Sequence, residues 1–414
     1  MDLALKVWVC VVISVMMVYA VRHWLISIRR LVGSQRPYYQ DLLDSDLPSV
    51  SVVIPMHNEE AVADQILNAL LDSAYPKHLL EIVPIDDHSD DHTAEILRRY
   101  EAEHSQVKPL FRNDRVRGKP AALNEALTAA TNEIVLVFDA DYRPGPDAVR
   151  ALVMAFQDPE VGAVMGRVVP SNAGATLLTR LLDLERSGGY QVDQQARYTL
   201  DLVPQFGGTA GGFRRSVALS LGGFGPRVSA DDTDLTVRLY LNGWKVAYAN
   251  GVECYEEVPE TWDARFHQLR RWSRGHNQVL LRHGASLLRS RYLRPIQRLD
   301  GMLMLVVYLV PPLLLSALAA ELVLFLQGDL LLLPTVILAF FLVTYSEFGN
   351  FAPFLQVGIA GVLDGMAERV LFLPFFFFAY LFNQLAVTCG LADAVLDIVW
   401  RRDPIWRKTP RFRR

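Results

Sequence analysis

Two aspartates, Asp139 and Asp141, stand one residue apart in FDADYRPGP, directly after the apolar run NEIVLV. Where a buried strand turns, both carboxylates can reach one cation. So few hard oxygen ligands suit Mg2+ or Mn2+, which keeps coordination sites open for phosphate oxygens. Alone, such a pair more often marks a solvated turn with an Asx cap. PIDDHSDDHT adds Asp87 at the end of a second apolar run, with Asp90 or Asp91 placed to cap the helix HTAEILRRY. In RVRGKPAALNEAL, Gly118 and Lys119 precede a helix with Pro120 in its first turn. A lysine at a helix N-terminus favours phosphate. VSADDTDLTVRL holds Asp231, Asp232 and Asp234. Three carboxylates so close repel one another, so at least one pKa should rise unless solvent or a cation relieves them. A raised carboxylate is what a general base needs, although helix capping would explain one of the three.

Two more stretches complete the set. FGGTAGG (206–212) includes Gly208 and Thr209, and its glycines either let backbone approach a ligand or make a flexible loop. If 261–280 is a helix, Gln268, Arg271 and Trp272 share one face of QLRRW, at i, i+3 and i+4. Arg270 and Arg274 share a neighbouring face. A guanidinium suits a diphosphate and an indole suits the apolar face of a sugar. The competing account is an amphipathic helix lying on anionic lipid.

The elements that must position these groups alternate. Strand-like runs in PSVSVVIPMHNEE, LEIVPIDDHSDD and NEIVLVFDADY are separated by helical EEAVADQILNALLDS and HTAEILRRYEAEH. That order predicts an α/β fold with a doubly wound, mostly parallel sheet over about 48–280. Ligands of such sheets bind beyond the carboxyl ends of the strands, where His57–Glu60, Asp86–Asp91 and Asp139–Asp141 all fall.

The chain has 414 residues, 51% hydrophobic and 21% charged, with a mean hydropathy of +0.18. A soluble domain joined to an α-helical transmembrane region explains both figures. Residues 1–30 read as a membrane anchor, spanning from 7 to 28 if Arg22 snorkels. Arg22, Arg29 and Arg30 then place the next domain in the cytoplasm. A cytosolic catalytic domain (48–280), a basic interfacial helix (281–300), C-terminal transmembrane helices (301–400) and a basic cytosolic tail (401–414) follow. Candidate spans are 302–326, with Glu321 near an interface or cavity, 330–346 and the uncharged 370–392. Even parity between the basic 281–298 stretch and the basic tail favours a fourth segment, 349–363, entering the membrane. Prolines such as Pro311 and Pro312 mark helix kinks. Cys10, Cys254 and Cys389 lie far apart and are expected as free thiols.

Taken in order, Asp87, D-x-D, ADDTD and Q-x-x-R-W resemble the motifs of the membrane-embedded, processive glycosyltransferases of family 2. Cellulose, hyaluronan, chitin, mannan and poly-N-acetylglucosamine synthases belong to it. The resemblance covers about 48–280 and implies a GT-A fold with a nucleotide-sugar donor, usually UDP-linked. It implies that Asp87, Lys119, Gln268 and Arg271 bind the donor, and that Asp139 and Asp141 hold nucleotide and metal (Mg2+ or Mn2+). Asp232 would be the catalytic base. Asp231 stands where the family carries glutamate, which leaves the base open between the two. Gly208, Thr209 and Trp272 would meet the acceptor. The implied activity is inverting hexosyl transfer to the end of a growing β-linked polysaccharide, with export. The alternatives are a non-processive transferase with a lipid acceptor and a non-catalytic membrane scaffold or transporter. The expected partners are the donor, a glycan acceptor, the lipid bilayer and an accessory export or regulatory subunit, with no nucleic acid. The expected location is the inner (plasma) membrane, multi-pass, with the catalytic domain in the cytoplasm.

Overall fold

The computed structural model describes residues 2–33, 47–114, 116–225, 228–328 and 352–400. Helix α1 (Asp2–Val32) extends the expected 7–28 span at both ends. The alternation then runs β1 (Val50–Met56), α2 (Ala63–Leu71), β2 (Leu80–Asp87), α3 (Thr93–Glu103), β3 (Leu110–Arg112), α4 (Lys119–Ala129) and β4 (Ile134–Val137). These four strands pair in parallel, with β1 between β2 and β4 and β3 outside β2. β2 is buried along its whole length. Helices cover both faces of this half-sheet, which is why its strands read as unbroken apolar runs. Alternate residues still divide: Val52 and Ile54 enter one core, Val53 the other.

The second half begins with β5 (Arg143–Pro144), α5 (Ala148–Val153) and β6 (Val161–Pro170). Helix α6 (Leu177–Ser187), a π-helical turn (Gly188–Gln194) and α7 (Gln195–Thr199) follow. β7 (Gly211–Arg214), α8 (Arg215–Ser220), α9 (Asp231–Leu241) and β8 (Lys245–Glu256) complete one sheet in the order β3-β2-β1-β4-β7-β6-β8-β5. β7 is antiparallel to β4 and β6, so the sheet is parallel where β1–β4 lie and mixed beyond. Glycines explain how β7 fits: a Cβ on Gly211 would lie 2.3 Å from the Val164 carbonyl oxygen, and one on Gly212 equally close to that of Val135. Those two glycines of FGGTAGG therefore serve the sheet rather than a ligand.

Helices α10 (Trp262–Arg289), α11 (Pro295–Val306), α12 (Val310–Leu326), α13 (Ala352–Leu363) and α14 (Leu373–Trp400) form the rest. Among the described residues, Asp2–Val32, Pro295–Leu326 and Ala367–Asp397 are long and apolar enough to cross a membrane. α1 packs on α12 through Val12, Met16 and Ala317. The expected kink falls at the 3-10 turn Val307–Leu309, followed by Pro311 and Pro312.

Two expectations are corrected. The basic segment 281–300 is not one helix. Its first part ends α10 at Arg289 and its last part begins α11 at Pro295, because proline suits the first helical turn and holds Arg294 extended. Arg22 does not snorkel; it pairs with Asp193 at 3.0 Å and Asp300 at 3.1 Å. The part of 349–363 that is described is the 12-residue α13, about 18 Å long against a core of about 30 Å. It packs on the candidate span α1 and on the catalytic domain: Gln356 donates to the Gly188 carbonyl, and Asp364, just past its end, accepts from Ser187 and Gln191. Candidate span 330–346 and tail 401–414 lie outside the described residues.

Candidate active site

All eleven candidate residues line one cavity of about 1120 Å³. It lies beyond the carboxyl ends of β1, β2 and β4 and is closed on the far side by α9 and α10. The fold thus collects residues scattered over almost two hundred positions.

On the β1–β4 side, Lys119 Nζ sits 2.6 Å from Asp139 Oδ1. Burial alone would lower the Lys119 pKa, but Asp139 and Asp231 hold the ammonium charged. The Asp139 backbone N–H donates to Thr209 Oγ1 at 2.9 Å, which ties the D-x-D turn to the glycine-rich segment. Asp87 accepts from Arg112 (2.7 Å), His88 (2.9 Å) and the Gly118 backbone N–H (2.7 Å). Its carboxylate thereby anchors the loop that carries Lys119, in which Gly118 adopts a φ of 111°. Asp91 accepts the Thr93 N–H at 2.9 Å, but His92 holds the N-cap position of α3 and no side chain caps that helix, so the expected aspartate cap is not formed.

The three aspartates of ADDTD have different fates. Asp234 is buried and faces away, paired with Arg238 and His283 at 2.8 Å. Burial would raise its pKa, but these partners hold it below the usual carboxylate range. None of the three makes a side-chain cap, since Ala230 occupies that position. Burial, with Asp232 beside it, pushes the Asp231 carboxyl up to about 7. Asp232 Oδ1 accepts the Thr233 N–H at 2.7 Å. A side chain on Gly208, which has a φ of 77°, would press within 3.2 Å of Asp232 Oδ2. This is the glycine of FGGTAGG that lies against the chemistry.

Helix α10 brings the last three. A Cβ on its Gly275 would sit 2.4 Å from the Ala230 backbone nitrogen. Only glycine lets α10 lie so close to the residue preceding Asp231. Gln268 Oε1 accepts from Arg265 at 2.8 Å. Two guanidiniums flank the Trp272 ring, Arg186 at 5.1 Å and Arg265 at 5.6 Å from its centroid. Arg271 makes no hydrogen bond or ion pair among the described residues. Burial lowers its pKa, and Asp232, Asp231 and Asp139 are the charges that face it. An unpaired, half-buried guanidinium in a cavity wall is poised for an anion. Arg270 and Arg274 pair with Asp393 and Asp397 of α14, so those charges are committed to protein rather than to lipid headgroups.

Several wall residues carry no motif. His276 hydrogen-bonds the Trp272 carbonyl through Nδ1 at 2.9 Å. Its Nε2 lies 3.1 Å from Thr233 Oγ1, and its ring stacks on Tyr308 at 4.2 Å. Arg186 pairs with Glu256 at 2.7 Å, and Glu256 accepts from Tyr142 at the same distance. No spacing links these residues; only tertiary packing does.

For a metal, the donor set is two carboxylates, Asp139 and Asp141, at the cavity wall. Among the described residues no three His, Cys, Asp or Glu side chains form a cage. That composition fits Mg2+ or Mn2+, which binds through one or two carboxylates and completes its shell with substrate phosphate and water.

Comparison with known proteins agrees with this architecture. A family profile described as "Glycosyltransferase like family 2" matches residues 48–275. The chain is 34% identical over 254 residues to "Probable glycosyltransferase YdaM" of Bacillus subtilis, covering 61% of this chain and 60% of that protein. It is 32% identical over 301 residues to "Beta-monoglucosyldiacylglycerol synthase" of Trichormus variabilis, covering 69% and 64%. The match thus spans less than two thirds of either relative. The solved structure "Mannosyltransferase PcManGT from Pyrobaculum calidifontis in complex with GDP-Man and Mn2+" has the same fold. Its TM-score is 0.67 at 23% identity, over 95% of this chain and 99% of that one.

Proposed function

The chain belongs to glycosyltransferase-like family 2, and from that premise we propose that it transfers a sugar, with inversion, from a nucleotide-sugar donor to an acceptor hydroxyl at a membrane. The observation that carries this reading is the division of labour in one cavity. One carboxylate pair (Asp139, Asp141) stands at the strand ends, a second (Asp231, Asp232) begins α9, and the unpaired Arg271 faces both.

The chemistry needs these parts. The donor diphosphate lies against Lys119 and Arg271, which offset the charge that grows on it as the glycosidic bond breaks. Asp139 and Asp141 would hold a divalent cation that supplies Lewis-acid stabilisation of the same leaving group. The acceptor hydroxyl loses its proton to Asp232, beside which stands the raised carboxyl of Asp231. That hydroxyl oxygen attacks the anomeric carbon from the face opposite the diphosphate. A single displacement inverts configuration, so an α-linked donor gives a β-linked product, and no covalent enzyme intermediate is needed.

Trp272, Gly208 and Thr209 receive the acceptor, which is the growing end of a β-linked polysaccharide exported through the apolar helices. A second acceptor, a membrane diacylglycerol, is favoured by the similarity to the Trichormus variabilis protein. In both cases the catalytic domain faces the cytoplasm at the inner membrane. The deciding experiment is nucleotide release by the protein in lipid nanodiscs with Mg2+ or Mn2+. UDP-linked donors and GDP-mannose are supplied singly, with and without diacylglycerol, beside Asp232→Asn. Release with one donor, lost in the variant, is expected. Sizing the product then separates polymer from glycolipid. Silence with every donor overturns the proposal.

A further inference from the structure

Helix α14 carries two charged residues, Asp393 and Asp397, in an otherwise uncharged and mostly apolar sequence. Carboxylates in such a segment are costly unless paired, and both are. Asp393 takes a two-pronged contact from Arg270 at 2.6 and 2.8 Å. Asp397 takes one from Arg274 at 2.5 and 2.6 Å, and a third bond from Gln278 at 2.9 Å. Arg270, Arg274 and Gln278 are spaced i, i+4 and i+8, and so lie on one face of α10. Between the pairs the backbones touch. Ser273 Oγ donates to the Val387 carbonyl at 2.7 Å, and a Cβ on Gly390 would lie 2.4 Å from the Arg270 carbonyl oxygen. Charge pairs thus fix the lateral register, and the missing side chain fixes the depth.

The neighbouring face of α10 carries Arg271 and Trp272 into the cavity, whose wall the paired Arg270, Arg274, Asp393 and Asp397 also reach. Resting on the donor-site reading above, we propose that Arg270, Arg274, Asp393 and Asp397 are positioning residues. Their clamp sets the rotation of α10 on the membrane helix, and with it the aim of Arg271 at the donor diphosphate. Bidentate guanidinium–carboxylate pairs suit this task because they fix direction as well as distance. The tolerance is small. With side-chain tips at a radius of roughly 5.5 Å, a rotation of about 10° moves a tip by about 1 Å. Misplacement on that scale costs on the order of 100-fold in rate.

The test uses the full chain in nanodiscs with Mn2+ and measures affinity for UDP and GDP against UMP and GMP. Asp393→Asn/Asp397→Asn opens the clamp, and Arg271→Ala removes the group it aims. We expect the clamp variant to lose about 10-fold in diphosphate affinity, with monophosphate affinity unchanged. Added to Arg271→Ala it should cause no further loss, because coupled residues are non-additive. Gly390→Ala leaves every charge in place and should reproduce the pattern from the backbone side. Diphosphate affinity unchanged in both variants, a loss that adds to that of Arg271→Ala, or an equal loss for monophosphates overturns the clamp. Donor turnover by the unaltered protein is measured in parallel. Its absence removes the transferase reading itself, whereas an active protein with indifferent clamp variants removes only this inference.

Discussion

Gly275→Ala tests the geometry of the site most directly. An added Cβ would stand 2.4 Å from Ala230 N, 2.6 Å from Ala230 Cβ and 2.7 Å from Ser229 C. All three belong to main chain or a Cβ, so no flexible tip can swing aside. Ordinary contact begins near 3.4 Å, so α10 and the Ser229–Ala230 segment must part by about 1 Å. Asp231 and Asp232 follow Ala230 directly, while Arg271 and Trp272 lie one turn back along α10. The base therefore moves relative to the leaving-group site by a similar amount. A displacement of that size costs roughly 100-fold, or about 2.7 kcal/mol of transition-state stabilisation. Donor KM should rise as well, because Arg271 and Gln268 ride on α10 whereas Asp87, Lys119, Asp139 and Asp141 sit on other elements. Overpacking costs about 1–3 kcal/mol of stability, partly offset by about 1 kcal/mol from the better helix propensity of alanine. Gly284→Ala on the same helix is the control. Its Cβ meets first the Leu280 Cδ1 tip at 3.2 Å, so activity should hold. Steady-state nucleotide release in nanodiscs, with thermal melts of both variants, measures each quantity. A Gly275→Ala protein with unaltered kcat would refute the idea that contact between these helices sets the distance between base and leaving group.

Other outcomes follow from the same site. With Asp231 raised to about 7, kcat/KM should fall as pH drops through about 7, and Asp231→Asn should move that inflection to lower pH. The stability sign is opposite to the usual one for an aspartate. A folded pKa above the unfolded value favours folding below about pH 4 and loses that contribution as pH rises through about 7. Asp231→Asn should therefore raise the Tm at pH 8 and not at pH 4, which melts at the two pH values check. Chelation with EDTA should abolish nucleotide release, Mn2+ should restore it, and Asp141→Asn should raise the Mn2+ concentration needed for half-activity. Trp272→Ala should lower transfer to acceptor by 10-fold or more while nucleotide affinity stays within about 2-fold, as titration with UDP or GDP would read.

Local chemistry determined much of this in advance. Unbroken apolar runs ending in carboxylates announce parallel strands whose ends carry a site, and the runs at 50–56, 80–87 and 134–137 became β1, β2 and β4. The repulsion among Asp231, Asp232 and Asp234 was also legible, because like charges so close in sequence must interact whatever the fold. Which of them escapes was not. Asp234 finds His283 some fifty residues on, while Asp231 is left against Asp232, and that sorting depends on how α9 turns toward α10. The role of glycine was likewise divided only in three dimensions: Gly208 faces Asp232, whereas Gly211 and Gly212 separate strands. Hydropathy marked apolar segments but not their depth. Arg22 was expected at an interface and is instead neutralised by Asp193 and Asp300. The 349–363 stretch reads as apolar, and only the structure shows that its α13 packs on α1, α6 and the π-helical turn. Motif residues were visible because each follows a local rule of charge, turn or helical face. His276, Arg186, Glu256 and the α10–α14 clamp follow none. Burial made them, since a polar group removed from water must find a partner, and only the tertiary structure decides which partner is within reach.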